Sequence, residues 1–192
     1  LGQGASARAS EADIQIPAAF YTHTFSSLGG LQGTLLLYLG IGVCLLGVAF
    51  ALWQARQIKA LPAHRSMLEI SELIFATCRA YLLQQGKFLV GLEVLIGICI
   101  VYYFGILKSM SPFQVLVILL ASVLGILGSY AVAWFGIRIN TYANSRTAFA
   151  SLEGKPFPVH AIPLKSGMSI GLLLICVELI LMLCILLFLP DL

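Results

Sequence analysis

Two glutamates, Glu93 and Glu178, stand inside long apolar runs of the chain. An ionised carboxylate in a bilayer is costly unless it is paired or takes up a proton, so each is a candidate for intramembrane chemistry. That chemistry would be a proton or ion relay; the structural alternative is a hydrogen-bonded contact that glues helices together. Glu93 follows Phe88 by five residues, about 7–9 Å along a helix, so its carboxylate can reach lipid headgroups or a cytoplasmic lysine or arginine. Glu178 lies between "LLLICV" and "LILMLCILLF", with no basic residue in reach on its own helix. It needs a donor from another helix, or a proton.

Other chemistries find little support. His23, His64 and His160 are far apart, and the five cysteines (Cys44, Cys78, Cys99, Cys176, Cys184) lack the paired spacings of zinc or redox sites. They read as small residues of membrane helices. The "GKP" at Gly154–Pro156 lacks the upstream glycine and following hydroxyl residue of a phosphate-binding loop, and its proline removes a backbone donor. No grouping of serine, histidine and acid, and no pair of water-exposed carboxylates, suggests hydrolysis. The residues therefore assign no catalytic, cofactor-binding or metal-binding position. A formal charge of +3, with the basic residues scattered through loops, also gives no nucleic-acid surface.

The elements that must carry the two glutamates follow from composition. Of 192 residues, 60% are apolar and 10% charged, where soluble domains carry about 25% charged residues; the mean hydropathy is +1.00. The fold class is all-α, a polytopic membrane helix bundle. A bilayer core takes about 20 helical residues to cross, and four spans are predicted, at 34–53, 88–107, 113–137 and 167–189. The second and third are joined only by "KSMSP", in which Pro112 can start a helix but not continue one, so they form an antiparallel hairpin.

Upstream of the second span, "SMLE" at Ser66–Glu69 has capping-box spacing. Ile70, Leu73, Ile74, Thr77 and Tyr81 then recur at helical spacing, with Glu72, Arg79 and Gln84 on other faces. This predicts an amphipathic helical extension over 66–87, outside the membrane, and a polar cytoplasmic loop over 138–166. Small-residue runs such as Gly40–Gly47 and Gly125–Gly136 permit close helix packing. Nine of the eleven lysines and arginines follow the first or third span, and only Arg8 and Lys108 fall on the other side. Cytoplasmic loops are enriched in such residues, so both termini are expected outside. The segment 1–33, polar and rich in small residues, reads as an extracytoplasmic tail left by removal of a signal peptide.

The wording of the polar stretch carries the reading further. "YANSRTAFASLEGKPFPVHAIPLKSGMSIG", Tyr142–Gly171, resembles the segment joining the third and fourth helices of membrane-bound, ion-pumping inorganic pyrophosphatases. The matching positions are Tyr142, Ala143, Asn144, Arg146 and Thr147, then Lys165, Ser166, Gly167 and Gly171. A second match is Met67–Leu89, similar to the family's cytoplasmic start of the second helix through Glu69, Ile70, Ile74, Ala80, Tyr81, Leu82 and Gln85. The resemblance covers about Leu31–Leu189; Gly86 departs from the aromatic residue or arginine frequent in the family.

The resemblance implies two concentric rings of helices, assembled as a homodimer in a bacterial cytoplasmic membrane, with these four helices in the outer ring. It implies that Mg2+ and pyrophosphate are bound by the remaining inner-ring helices, the partners of this module, through an Asp-x7-Lys-x-Glu element expected beyond residue 192. The chain holds no such element. It is thus expected to form the N-terminal part of a pyrophosphate-hydrolysing cation pump, with the proton as the leading ion, and not to hydrolyse anything alone. Asn144, Arg146 and Lys165 are expected to brace the cytoplasmic ends of helices, against anionic headgroups or a neighbouring loop. Two other readings stand beside this one. The chain could be a non-catalytic four-helix scaffold or accessory subunit of a larger membrane complex, or a small transporter resting on Glu178.

Overall fold

The computed structural model describes residues 24–25 and 30–188. Most of the predicted tail 1–33, with Arg8 and His23, lies outside the described residues, as does the end of the fourth span at Leu189. Before the first helix, β1 (Thr24–Phe25) pairs antiparallel with β2 (Leu31–Gln32). Four helices follow: α1 (Gly33–Ala60), α2 (Arg65–Ile100), α3 (Pro112–Ser151) and α4 (Pro156–Phe188). A π-helical segment, Val101–Leu107, continues α2 to its end. All four helices are long and apolar enough to cross a membrane.

The helices outrun the bilayer. With its π-helical end α2 has 43 residues and α3 has 40, about 60 Å or more each at the helical rise, against a hydrocarbon core of about 30 Å. The stretch 138–166, expected as a loop, is therefore mostly helix, and only Leu152–Lys155 connects α3 to α4. No glycine or proline interrupts Arg138–Ser151, so the helix propagates into the polar region, where its side chains rather than its backbone meet water. Gly154, at φ +68°, makes the turn that an L side chain would resist.

The two ends of the α2–α3 hairpin are capped in different ways. The helix α2 begins two residues earlier than a capping box at Ser66 predicts. His64 is its extended N-cap, with Nδ1 accepting from the Ser66 amide at 3.4 Å, and Glu69 pairs with Arg65 at 3.2 Å instead of reaching back. With Arg65 inside the helix, Glu69 is its i+4 neighbour, and the ion pair takes the carboxylate. A capping box does form at α3, where the Ser111 oxygen accepts from the Gln114 amide and Gln114 Oε1 from the Ser111 amide, with Pro112 at the first position.

The helices α1, α3 and α4 form the packed unit, and α2 lies principally along α3. Small residues let α1 and α4 approach: a Cβ on Gly47 would collide with Cys176 Sγ. Ser169, fully buried, donates to the Ala51 carbonyl at 2.7 Å. Apolar packing then continues through Ala51, Val132 and Leu173, and nearer the C-terminal end of α1 through Ala55, Ile58, Ile139 and Ile162.

The face that α2 turns to α3 is not its apolar stripe. Ser71 donates to the Thr141 carbonyl (2.8 Å), Phe75 meets Trp134 edge-on, and Tyr130 donates to the Leu82 carbonyl (3.0 Å). A Cβ at Gly86 would lie 2.9 Å from the Tyr130 hydroxyl, so glycine there leaves room for that bond. Ile70, Leu73 and Tyr81 are exposed instead, because the α3 surface offers aromatic rings, a carbonyl and a guanidinium, which select the mixed face.

Candidate functional site

On α3, Arg138, Tyr142 and Arg146 are spaced four residues apart and so share one face. The Tyr142 ring is approached by three cations: Arg138 Cζ at 4.6 Å from its centroid, Arg146 Cζ at 4.9 Å and Lys59 Nζ, from the end of α1, at 5.9 Å. A tyrosine face attracts cations through its quadrupole, which offsets part of their mutual repulsion. Arg138 also stacks on Phe75 at 4.0 Å and pairs with Glu72 at 3.1 Å, tying in α2.

Arg146 is the buried member, 7% exposed. Its Nη2 donates to the Lys59 carbonyl at 3.2 Å and its Nη1 to Ser145 Oγ at 2.9 Å, while Nε is buried without a partner. The Lys59 carbonyl belongs to the last turn of α1, where carbonyls lack helical donors and the dipole is negative. A guanidinium there satisfies an orphan acceptor and supplies the charge that the helix end attracts. Burial pushes the Arg146 guanidinium below its usual pKa; Tyr142 opposes this, Arg138 adds to it and Glu72 opposes it. The group stays charged at any physiological pH.

The other two residues expected from sequence to brace helix ends lie elsewhere. Asn144 and Lys165 are exposed and, among the described residues, make no hydrogen bond or ion pair. Asn144 borders a cavity of about 420 Å³ with Asn140, Thr141 and Thr147. Beside Lys165, the buried Ser166 donates to Asn140 Oδ1 at 3.1 Å, joining α4 to α3.

The intramembrane glutamates face different surroundings. Glu93 does not turn to headgroups or to a cytoplasmic base: its Oε2 accepts from Ser122 Oγ of α3 at 3.3 Å, and its Oε1 is buried without a partner. Glu178 is exposed on α4, on the wall of a groove of about 660 Å³ between α3 and α4. The two glutamates have no recorded contact with each other: Glu93 is bonded to Ser122 of α3, whereas Glu178 lines the groove between α3 and α4. Cys44 of α1 and Cys176 of α4 are both free thiols buried in the packed unit.

The described residues do not fit a magnesium–pyrophosphate site. No three of their His, Cys, Asp and Glu side chains come together, and Glu69, Glu72 and Glu153 are each engaged by a neighbouring cation. What the arrangement can do is hold the C-terminal ends of α1 and α3 and the N-terminal part of α2 in fixed relation.

Comparison with known proteins decides the family. The model described as "Inorganic H+ pyrophosphatase" matches residues 45–192. The chain belongs to the inorganic H+ pyrophosphatase family. It is 60% identical over 151 residues, 79% of its length, to a protein of Chlorobaculum tepidum named "K(+)-insensitive pyrophosphate-energized proton pump". It is 29% identical over 143 residues, 74% of its length, to a protein of the same name in Pyrobaculum aerophilum. The chain spans about a fifth of the length of these curated relatives, 20% and 19% respectively. No solved structure matches it significantly. With four membrane-crossing helices, this inorganic H+ pyrophosphatase family member is an integral membrane protein.

Of the cluster around Tyr142, the sequence pointed to Arg146 but not to Arg138, Tyr142 and Glu72 as a unit. The signal was present in the i, i+4, i+8 spacing, but it becomes visible only once 138–151 is treated as helix.

Proposed function

We propose that this chain forms outer-ring helices in the N-terminal part of a pyrophosphate-hydrolysing proton pump. The observation that carries the reading is the family match over 45–192, joined to 60% identity with a protein named as such a pump. In this reading magnesium pyrophosphate is bound and hydrolysed by the inner-ring helices of the same pump, which works as a homodimer in a bacterial cytoplasmic membrane. The cluster around Tyr142 then lies on the cytoplasmic side and the Lys108 turn outside, in agreement with the distribution of basic residues. The cluster's role is mechanical: Arg146 clamps the end of α1 to α3 while Arg138 and Glu72 hold α2. Hydrolysis then drives movement in the inner ring against a fixed outer frame. Nothing in the fold favours the accessory-scaffold or small-transporter readings over this one.

The test is hydrolysis of pyrophosphate, with magnesium, by membranes containing the full-length protein. The names of its relatives extend to potassium: activity is expected, and added potassium should change it by less than about twofold, a barrier difference of under ~0.4 kcal/mol. Absence of magnesium-dependent hydrolysis in a folded full-length protein would refute the pump reading.

A further inference from the structure

The groove between α3 and α4 combines an unpartnered carboxylate with a wall that is open to a neighbour. Glu178 lies near the middle of the apolar run of α4, and no described residue bonds to it. Across the groove stand Gly125, Gly128 and Ser129 of α3. The two glycines differ. A Cβ on Gly128 would meet Leu181 at 3.2 Å and Val177 at 3.3 Å, so this glycine serves the α3–α4 contact itself. A Cβ on Gly125 would meet nothing within 4 Å, so the space above it is not used by the four helices. Lipid chains can fill such a space, but they cannot donate a hydrogen bond or supply a countercharge to Glu178 at that depth.

We infer that the groove seats a transmembrane helix from the remainder of the same polypeptide, and that this helix presents a lysine or arginine to Glu178. The charge decides the occupant: a carboxylate held in hydrocarbon selects a neighbour that carries a donor and the opposite sign. The bare surface above Gly125 lets the incoming backbone come close enough for its side chain to reach Glu178. The inference rests on the reading that these helices are part of a longer pump, and it assigns them a contact of their own.

The experiment uses the full-length protein in native membranes with photo-leucine in place of Leu174, an exposed residue of the groove wall that it replaces almost isosterically. After irradiation and digestion, cross-links should join residue 174 to one helix of the same chain that carries a lysine or arginine at matching depth. Glu178→Leu should then shorten the half-life of the folded protein at elevated temperature roughly tenfold, and neutralising the captured lysine or arginine should do the same. The double variant should be no worse than either single one, because the two side chains form one interaction. Glu178→Gln, which can still accept a hydrogen bond, should recover part of the loss. Cross-links to lipid alone, to a helix without a basic residue at that depth, or strictly additive losses would each overturn the inference. These readouts need no pyrophosphate hydrolysis, so failure of the helix contact and failure of the pump reading are told apart.

Discussion

Arg146 joins the C-terminal end of α1 to α3, and its chemistry explains why lysine is no substitute. A planar guanidinium can donate to the Lys59 carbonyl and to Ser145 from separate nitrogens while lying against the Tyr142 ring. A lysine offers a point charge and loses the fork and the stacking. Arg146→Ala is expected to lower the stability of the folded protein by about 2–4 kcal/mol, from lost charge-assisted bonds and an orphaned helix-end carbonyl. Arg146→Lys should recover less than half of that, as read from unfolding of the purified protein in denaturant. Ser169 makes a smaller case of the same kind. Removing its hydroxyl from the buried Ala51 carbonyl by Ser169→Ala should cost about 1–2 kcal/mol in the same measurement.

Helix contacts depend on where side chains are missing as much as on where they are present. At the α1–α4 crossing, Gly47 gives Cys176 its space, and a methyl group there collides with the sulfur. Gly47→Ala should therefore destabilise the protein by about 1–3 kcal/mol. Pairing it with Cys176→Ala should return most of the loss, since the second change removes the atom in the way; thermal unfolding of the single and double variants checks this. The sequence announced the helices themselves: their apolar length, the Pro112 start and the short hairpin link are local properties. It did not announce which face of α2 meets α3. Ile70, Leu73 and Tyr81 form the more regular apolar stripe, yet Ser71, Phe75 and Leu82 make the contact, because their partners Thr141, Trp134 and Tyr130 lie far along the chain. Polarity likewise suggested a loop over 138–166, although a helix that leaves the membrane can be polar on its surface and unbroken in its backbone. The Arg138, Tyr142 and Arg146 face was hidden for that reason. Glu93 was legible as an acid within an apolar run, but its Ser122 partner lies on another helix and leaves no mark on the local pattern.

The four helices taken together make an incomplete surface. The outward stripe of α2, Glu178 on the wall of the groove between α3 and α4, and Asn144 and Lys165 are all exposed. In the proposed pump, this exposed surface would meet the remaining helices. The orientation proposed for it predicts opposite labelling at its two ends. In a full-length protein with its native cysteines replaced, Ser109→Cys should react with an impermeant maleimide added outside intact cells. Ser151→Cys should react only after the membrane is opened. The reverse pattern would invert the topology and place the Tyr142 cluster on the outer side. The most direct test of the account as a whole is acidification of inverted membrane vesicles containing the full-length protein, on addition of magnesium and pyrophosphate without potassium. The account predicts proton uptake that stops when pyrophosphate is exhausted and is unchanged by potassium. Hydrolysis with no uptake, or no response to pyrophosphate by a correctly folded protein, would contradict it.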